Sequence, residues 1–176
     1  MCWDKSKSDP NKFTMNKSLI IQQLGLEPHP REGGYFKRTY SSSHTTTTDN
    51  GKRLCCSAIY YLLSDDQPIG YLHKNRSDII HYFHCGYPLR YLIVTPQGEL
   101  EEHWLGNDLL AGQQPQLLIT GGCWKAAILE EGDFALISES VSPGFDYTDN
   151  ELATSSKIIS DYPQLWPQLD IVTKKD

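Results

Sequence analysis

Between Leu54 and Val141 the chain divides into eight short segments rich in β-branched and aromatic residues. They are Leu54–Leu63, Ile69–His73, Ile79–His84, Tyr87–Val94, Leu100–Leu105, Gln116–Thr120, Cys123–Leu129 and Phe134–Val141. Turn signals punctuate them: Ser-Asp-Asp-Gln-Pro, Cys-Gly-Tyr-Pro, Pro-Gln-Gly, Glu-Glu-Gly-Asp and Ser-Pro-Gly. Too little helix-forming sequence lies between them for an α/β sheet. Strands this short and evenly spaced predict an all-β barrel or sandwich, and the expected architecture is a jelly roll.

The flanks carry the exceptions. Asn16 is a plausible N-cap for a short helix over Lys17 to Leu24, which Gly25 stops. Two prolines and two glycines give Leu26 to Gly34 a bent, extended path, with Gly33-Gly34 as the turn that admits the first strand. Tyr35 to Ser43 alternates like a strand, and the Ser/Thr-rich stretch Ser41 to Gly51 is expected to be a loop. Pro163 and Pro167 interrupt Ser155–Val172, so the tail is expected as broken helix packed on the outside. Residues 1–15 are expected to be a flexible head, and 16–176 a single domain.

Composition narrows the function classes. The net charge of −6 argues against a general nucleic-acid binder. Residues 1–53 carry nine Lys/Arg against five Asp/Glu, and residues 54–176 carry seven against seventeen. This suits a basic arm over an acidic body, or an arm docking on a second subunit. No apolar run approaches the roughly 18 residues that cross a bilayer, and the first dozen residues lack the apolar core of a secretory signal. A cytoplasmic protein without membrane association is the expectation. Five cysteines without a C-x-x-C pair favour reduced core thiols over a zinc ribbon, with Cys55 and Cys56 on opposite faces of a strand.

Three of the six histidines fall between His73 and His84. On extended strands His73 and Asn75 share one face, as do Ile79, His81 and Phe83, while His84 takes the opposite face from His81. A polar group facing the inside of a small barrel needs a partner or a function, since burying it unpaired costs about 1–3 kcal/mol.

The stretch from His73 to Gly86 resembles the first motif of the cupins, G-x5-H-x-H-x3-E-x6-G, with Gly86 in register. Five segments resemble, more closely, a single-domain cupin branch of unsettled activity. They are Pro28 to Phe36, Ala58 to Leu63, His73 to Gly86, Gly121 to Lys125 and Pro143 to Tyr147. Against the P-H-P-E-G-G of that branch, Arg31 is an extra residue. The resemblance implies a double-stranded β-helix, a jelly-roll barrel with a short N-terminal helix and a C-terminal broken helix, in a homodimer whose N-terminal strand pairs with the partner's sheet.

A metal-holding cupin uses two His and a Glu from its first motif and a His from its second. Here those positions carry His73, Asn75, Ile79 and Lys125. One good ligand of four is left, and divalent metals want three or four. No metal and no other cofactor is therefore expected, although a site rebuilt from His73, His81 and Glu139 stays open. The expected content of the barrel is a small polar or anionic ligand. His73 and His81 are the candidate proton carriers, Lys125 the oxyanion stabiliser, and Asn75, Glu139 and Tyr35 the binding contacts. By analogy with metal-free cupin-like epimerases, the expected activity is an isomerase or epimerase acting on a sugar or nucleotide-sugar. A non-catalytic binding or sensor module and a metal-dependent oxygenase are the alternatives. His29 is expected to be structural, His44 and His103 to lie on the surface, and Asp146 to hydrogen-bond its own loop.

Overall fold

The computed structural model describes residues 16–176, so the expected head lies outside the described residues. Its strands are β1 (Glu27–Pro28), β2 (Tyr35–Ser41), β3 (Thr45–Thr48), β4 (Gly51–Leu54), β5 (Ser57–Ser64), β6 (Ile69–Asn75) and β7 (Asp78–Gly86). They continue with β8 (Leu89–Val94), β9 (Leu100–Leu105), β10 (Gln116–Ile119), β11 (Trp124–Ile128), β12 (Phe134–Ser142) and β13 (Asn150–Leu152). Two antiparallel sheets face each other, in the orders β1-β2-β5-β12-β7-β10 and β13-β6-β11-β8-β9. This is a jelly-roll arrangement.

Alternation decides which side chains meet between the sheets. Tyr61, Leu63, Tyr91, Ile93, Leu117 and Ile137 point inward and fill one end of the barrel with apolar packing. The outward residues of the five-stranded sheet, among them Leu72, Leu92, Val94 and Trp124, are covered by Ile158, Leu169 and Val172 of the tail. That tail contains α2 (Ser155–Asp161) and α3 (Trp166–Leu169), separated by a 3-10 turn at Pro163–Leu165. Cover on both faces explains why β8 and β11 are buried along nearly their whole length rather than at alternate residues. On the other sheet, helix α1 (Lys17–Leu24) lays Ile20 against Leu62, Phe134 and Leu136. The Asn16 side chain accepts from Leu19 N–H, and Gly25 ends the helix in a left-handed conformation with φ of 60°.

Three expectations need correction. Ser41–Gly51 is not a plain loop, because β3 and β4 form a hairpin through it, with Thr45 opposite Leu54 and Thr48 opposite Gly51. Its β-branched threonines suit extended backbone, and Asp49-Asn50-Gly51 supplies the reversal. The Leu54–Leu63 strand is interrupted at Cys55 and Cys56, which fall between β4 and β5 and so do not occupy opposite faces of one strand. There Cys55 N–H donates to His44 O and Ser42 N–H to Cys56 O (both 2.9 Å) as the chain bends back. Finally, the bend from Leu26 to Gly34 contains β1, which pairs with β2 of the same chain.

Gly33 brings the bend onto the barrel. Its φ is +82°, and a Cβ there would overlap the Ile69 carbonyl oxygen. Gly25 also has a positive φ but faces open space. Gly25→Ala is therefore expected to lose only the left-handed penalty of about 1–2 kcal/mol. Gly33→Ala should lose at least about twice that, because backbone cannot yield as a side chain does. Urea unfolding midpoints of the two variants check the ordering.

Candidate functional site

At the end of the barrel away from the apolar packing, the interior is polar. His73 and Asn75 of β6, Lys125 of β11 and His81 of β7 are all buried, and His81 is wholly inaccessible. Strand register sets their positions. Lys125 pairs with His73 across β11 and β6, and Glu139 pairs with His81 across β12 and β7.

Two clusters result. In the deeper one, the His81 Nδ1 lies 3.3 Å from Leu117 O, which makes Nδ1 the protonated nitrogen and Nε2 the acceptor. Lys125 Nζ donates to that Nε2 at 2.7 Å and faces a Glu139 carboxylate oxygen at 3.5 Å. Burial, then the Lys125 charge, holds the His81 imidazole well below its ordinary pKa, so it stays neutral. The third Lys125 N–H has no partner among the described residues.

The second cluster surrounds Glu32. His73 Nδ1 lies 2.7 Å from Tyr71 O and donates to it, so its bare Nε2 is the atom that faces Glu32 Oε2, at 3.6 Å. His29 is the opposite tautomer: its Nδ1 accepts from Glu32 N–H (2.9 Å) and Arg31 N–H (3.3 Å). The protonated His29 Nε2 lies 3.7 Å from the same Glu32 oxygen. Asn150 Nδ2 donates to the other oxygen at 2.9 Å. Burial raises the Glu32 carboxyl above its ordinary value, and burial followed by the Lys125 charge lowers His73 to about 3. His73 is thus a neutral imidazole with a lone pair turned into the cavity. The Asn75 amide also lines that cavity and makes no side-chain hydrogen bond among the described residues.

The cavity is narrow. Its upper part, between His73, Asn75, Glu32 and Glu139, holds about 30 Å³, and a lower part reaching Lys125, Tyr61 and Tyr91 holds about 10 Å³. The larger volume has room for a water or for one functional group of a ligand, and the smaller is at the lower limit for a single water. The mouth is formed by Arg38, Phe145 and Tyr147.

A family model described as "Cupin superfamily (DUF985)" matches residues 18–153. The chain belongs to that cupin family. An uncharacterised protein of Saccharomyces cerevisiae, YML079W, is 41% identical over 146 residues, which cover 74% of this chain and 72% of the yeast protein. The crystal structure of protein SO0799 from Shewanella oneidensis superposes with a TM-score of 0.85 at 32% identity, covering 92% of this cupin and 99% of that chain. Oxalate decarboxylase from Bacillus subtilis gives a TM-score of 0.54 at 14% identity over 86% of this cupin and 38% of that enzyme. That likeness is one of fold alone.

The donor set of this cupin does not fit the ion that metal-holding cupins carry. Ile79 is a buried hydrocarbon, and the Lys125 ammonium occupies the place of the second-motif histidine. The rebuilt set fails as well, because the His81 Nε2 is engaged by Lys125 and the His73 Nε2 faces Glu32 rather than Glu139. Among the described residues no group of three or more His, Cys, Asp or Glu is arranged to hold a metal.

His73 and Glu139 thus line both volumes, Asn75 the larger and Lys125 the smaller. His81 lies behind Lys125 and does not line the cavity, so it orients the ammonium instead of meeting a ligand. Tyr35 points away: its hydroxyl donates to Asp66 Oδ2 at 2.9 Å outside the barrel, while Phe36, its neighbour on β2, takes the inward face. The lining residues that sequence reasoning passed over are Glu32, His29, Arg38, Phe145 and Tyr147. A histidine and a glutamate three apart, clamped between prolines and glycines, were the available signal. Asp146 does hydrogen-bond its own loop, accepting from Thr148 N–H at 2.9 Å. Among the described residues no helix is long and apolar enough to cross a membrane.

The depressed imidazoles make stability depend on acid. Below their ordinary pKa near 6.5 the unfolded chain takes up protons that folded His73 and His81 refuse, so stability falls as pH falls. Glu32 has the opposite sign: above 4.5 it keeps a proton that the unfolded chain releases. His73→Gln should reduce the acid slope by up to about 1.4 kcal/mol per pH unit between pH 6.5 and about 3. Denaturant unfolding at a series of pH values measures it; an unchanged slope would mean that His73 titrates normally.

Proposed function

We propose that this cupin binds the reacting end of a small sugar-like carbonyl compound and moves a proton on it without a metal, as an isomerase or epimerase. The observation that carries the reading is the bare Nε2 of His73, held by Tyr71 O in the one tautomer that turns a lone pair into a polar cavity. In the step envisaged, the C–H bond beside the substrate carbonyl breaks and its proton goes to His73 Nε2. The electron pair moves onto the carbonyl oxygen, and the unused N–H of Lys125 meets the resulting enolate. Return of the proton from the same nitrogen to the former carbonyl carbon, with the hydroxyl proton of the neighbouring carbon passing to the enolate oxygen so that this neighbouring carbon becomes the carbonyl, isomerises the substrate. The developing negative charge favours imidazolium, which offsets the low proton affinity of His73 in the empty cavity.

Cavity size restricts the ligand. A carbonyl or hydroxymethyl group fits beside His73, whereas the nucleotide of a nucleotide-sugar would have to remain outside the barrel. The Asn75 amide supplies a donor and an acceptor for one substrate hydroxyl.

In deuterium oxide, wild-type protein incubated with a panel of aldoses, ketoses and their phosphates should incorporate deuterium beside the carbonyl of its substrate. His73→Gln should lose at least 100-fold of that exchange, in line with the roughly 10²–10⁴-fold worth of a general base. Tight binding by a panel member with no exchange would replace the enzyme reading with that of a sensor module. Glu139→Gln is expected to destabilise the fold by about 3–5 kcal/mol, since it leaves the buried Lys125 ammonium without its counter-charge. Thermal unfolding reads this directly.

A further inference from the structure

Five arginines lie among the described residues, and two of them stand apart. Arg53 and Arg76 pair with Asp149, and Arg90 pairs with Glu102 and Glu130. Arg31 and Arg38 form no ion pair and no side-chain hydrogen bond among the described residues. Arg38 lines the mouth of the cavity, and Arg31 stands against Tyr147, which lines it too. The Arg38 guanidinium lies 5.7 Å from the centroid of the Phe145 ring, and that of Arg31 lies 5.7 Å from the centroid of Tyr147. The two rings brace each other edge to face, with centroids 5.0 Å apart. A guanidinium held against an aromatic face keeps its N–H fork free and loses little rotamer freedom when it binds.

We propose that Arg31 and Arg38 form an oxyanion clamp, and that the ligand carries a carboxylate or phosphate which they hold while its neutral end reaches His73 and Asn75. This rests on the reading of the cavity as the ligand site. Charge inside the barrel requires the division. The Lys125 ammonium is already matched by Glu139, and Glu32 adds a second carboxyl to the wall, so the interior has no net positive charge to offer an anion. Two side chains more than nine-tenths buried, His73 and Asn75, face the cavity with polar atoms, the imidazole Nε2 and the amide, that make no hydrogen bond among the described residues, although Glu32 Oε2 lies 3.6 Å from the Nε2. They suit hydroxyl or carbonyl oxygens. The negative group must then stay at the rim, where the two unpaired cations are. Arg31 also lies within the Pro28-His29-Pro30-Arg31-Glu32-Gly33-Gly34 bend. The bend that sets His29 and Glu32 into the wall therefore also supplies one arm of the clamp.

Inorganic phosphate and acetate, titrated separately by calorimetry into wild type, Arg31→Gln, Arg38→Gln, the double variant and Arg76→Gln, test the clamp. Wild type should bind at least one of the two anions, and the better binder identifies the head group as phosphate or carboxylate. Each single variant should weaken that binding about tenfold or more, the scale of a lost charge-assisted hydrogen bond. The double variant should abolish binding and Arg76→Gln should leave it unchanged. Failure of wild type to bind either anion, or undiminished binding in the double variant, overturns the proposal. The exchange assay keeps the two readings separate. Anion binding that depends on both arginines, without isotope exchange, leaves the clamp and removes the proton transfer. Exchange into sugar phosphates that Arg31→Gln and Arg38→Gln do not affect removes the clamp and leaves the reaction.

Discussion

A lysine ammonium buried between two β-sheets is the most demanding feature of this molecule. Stripping such a charge of water costs several kcal/mol, which only close partners repay. Lys125 projects from the five-stranded sheet, and its partners His81 and Glu139 project from the six-stranded sheet, directly opposite each other on β7 and β12. The contact therefore works only if both sheets are in register and face each other at the right separation. A shift of one residue in β11 would turn the ammonium to the tail side, into the packing of Leu92 and Ile158, and bring Ala126 inward. The polar end of the barrel is thus tied to the same register that packs Tyr61, Tyr91 and Ile137 at the apolar end.

Around that ammonium the imidazoles are divided by their hydrogen bonds to backbone. Leu117 O and Tyr71 O each take an Nδ1–H, and two N–H groups of the Pro28–Gly34 bend take the Nδ1 lone pair of His29. Three histidines of the same chemistry thereby acquire three roles. His81 accepts from Lys125, His73 shows a lone pair to the cavity, and His29 shows a proton to Glu32. Because burial keeps His73 and His81 neutral, the Lys125–Glu139 pair remains the main charge inside the barrel. This is a different use of the cupin interior from metal binding: the position that would supply a ligand nitrogen supplies a fixed cation.

Much of the architecture was legible in the sequence because alternation and turn residues act locally. Leu100–Leu105 runs as expected to the residue, α1 begins at its Asn16 cap and ends at Gly25, and the tail breaks at Pro163. His73 with Asn75, and Ile79 with His81 and Phe83, share faces as strand periodicity requires. Less local features were lost. The hairpin through Thr45–Thr48 looks like a polar loop by composition, and it is tied down by Arg53 on Asp149, 96 residues away in sequence. The three-residue strand β13 has no periodicity of its own and exists because Asn150, Glu151 and Leu152 meet Asn75, Lys74 and His73 on β6.

The same division runs through the site. Residue type and parity by themselves put an imidazole and an amide, His73 and Asn75, on one strand face, while the resemblance to cupins implied the Lys125 ammonium beside them and the replacement of three of the four metal-ligand positions. They did so because strand periodicity is a property of the chain. Tertiary structure alone decided that His81 carries its proton on Nδ1, against Leu117 O, that Lys125 is neutralised from the opposite sheet, that Tyr35 turns outward to Asp66, and that Glu32 and His29 enter the wall from the bend before β2. Those outcomes depend on which backbone carbonyl or carboxylate comes within about 3–4 Å of a given atom, the range over which hydrogen bonds and ion pairs act. That range is bridged only when strands remote in sequence pack face to face.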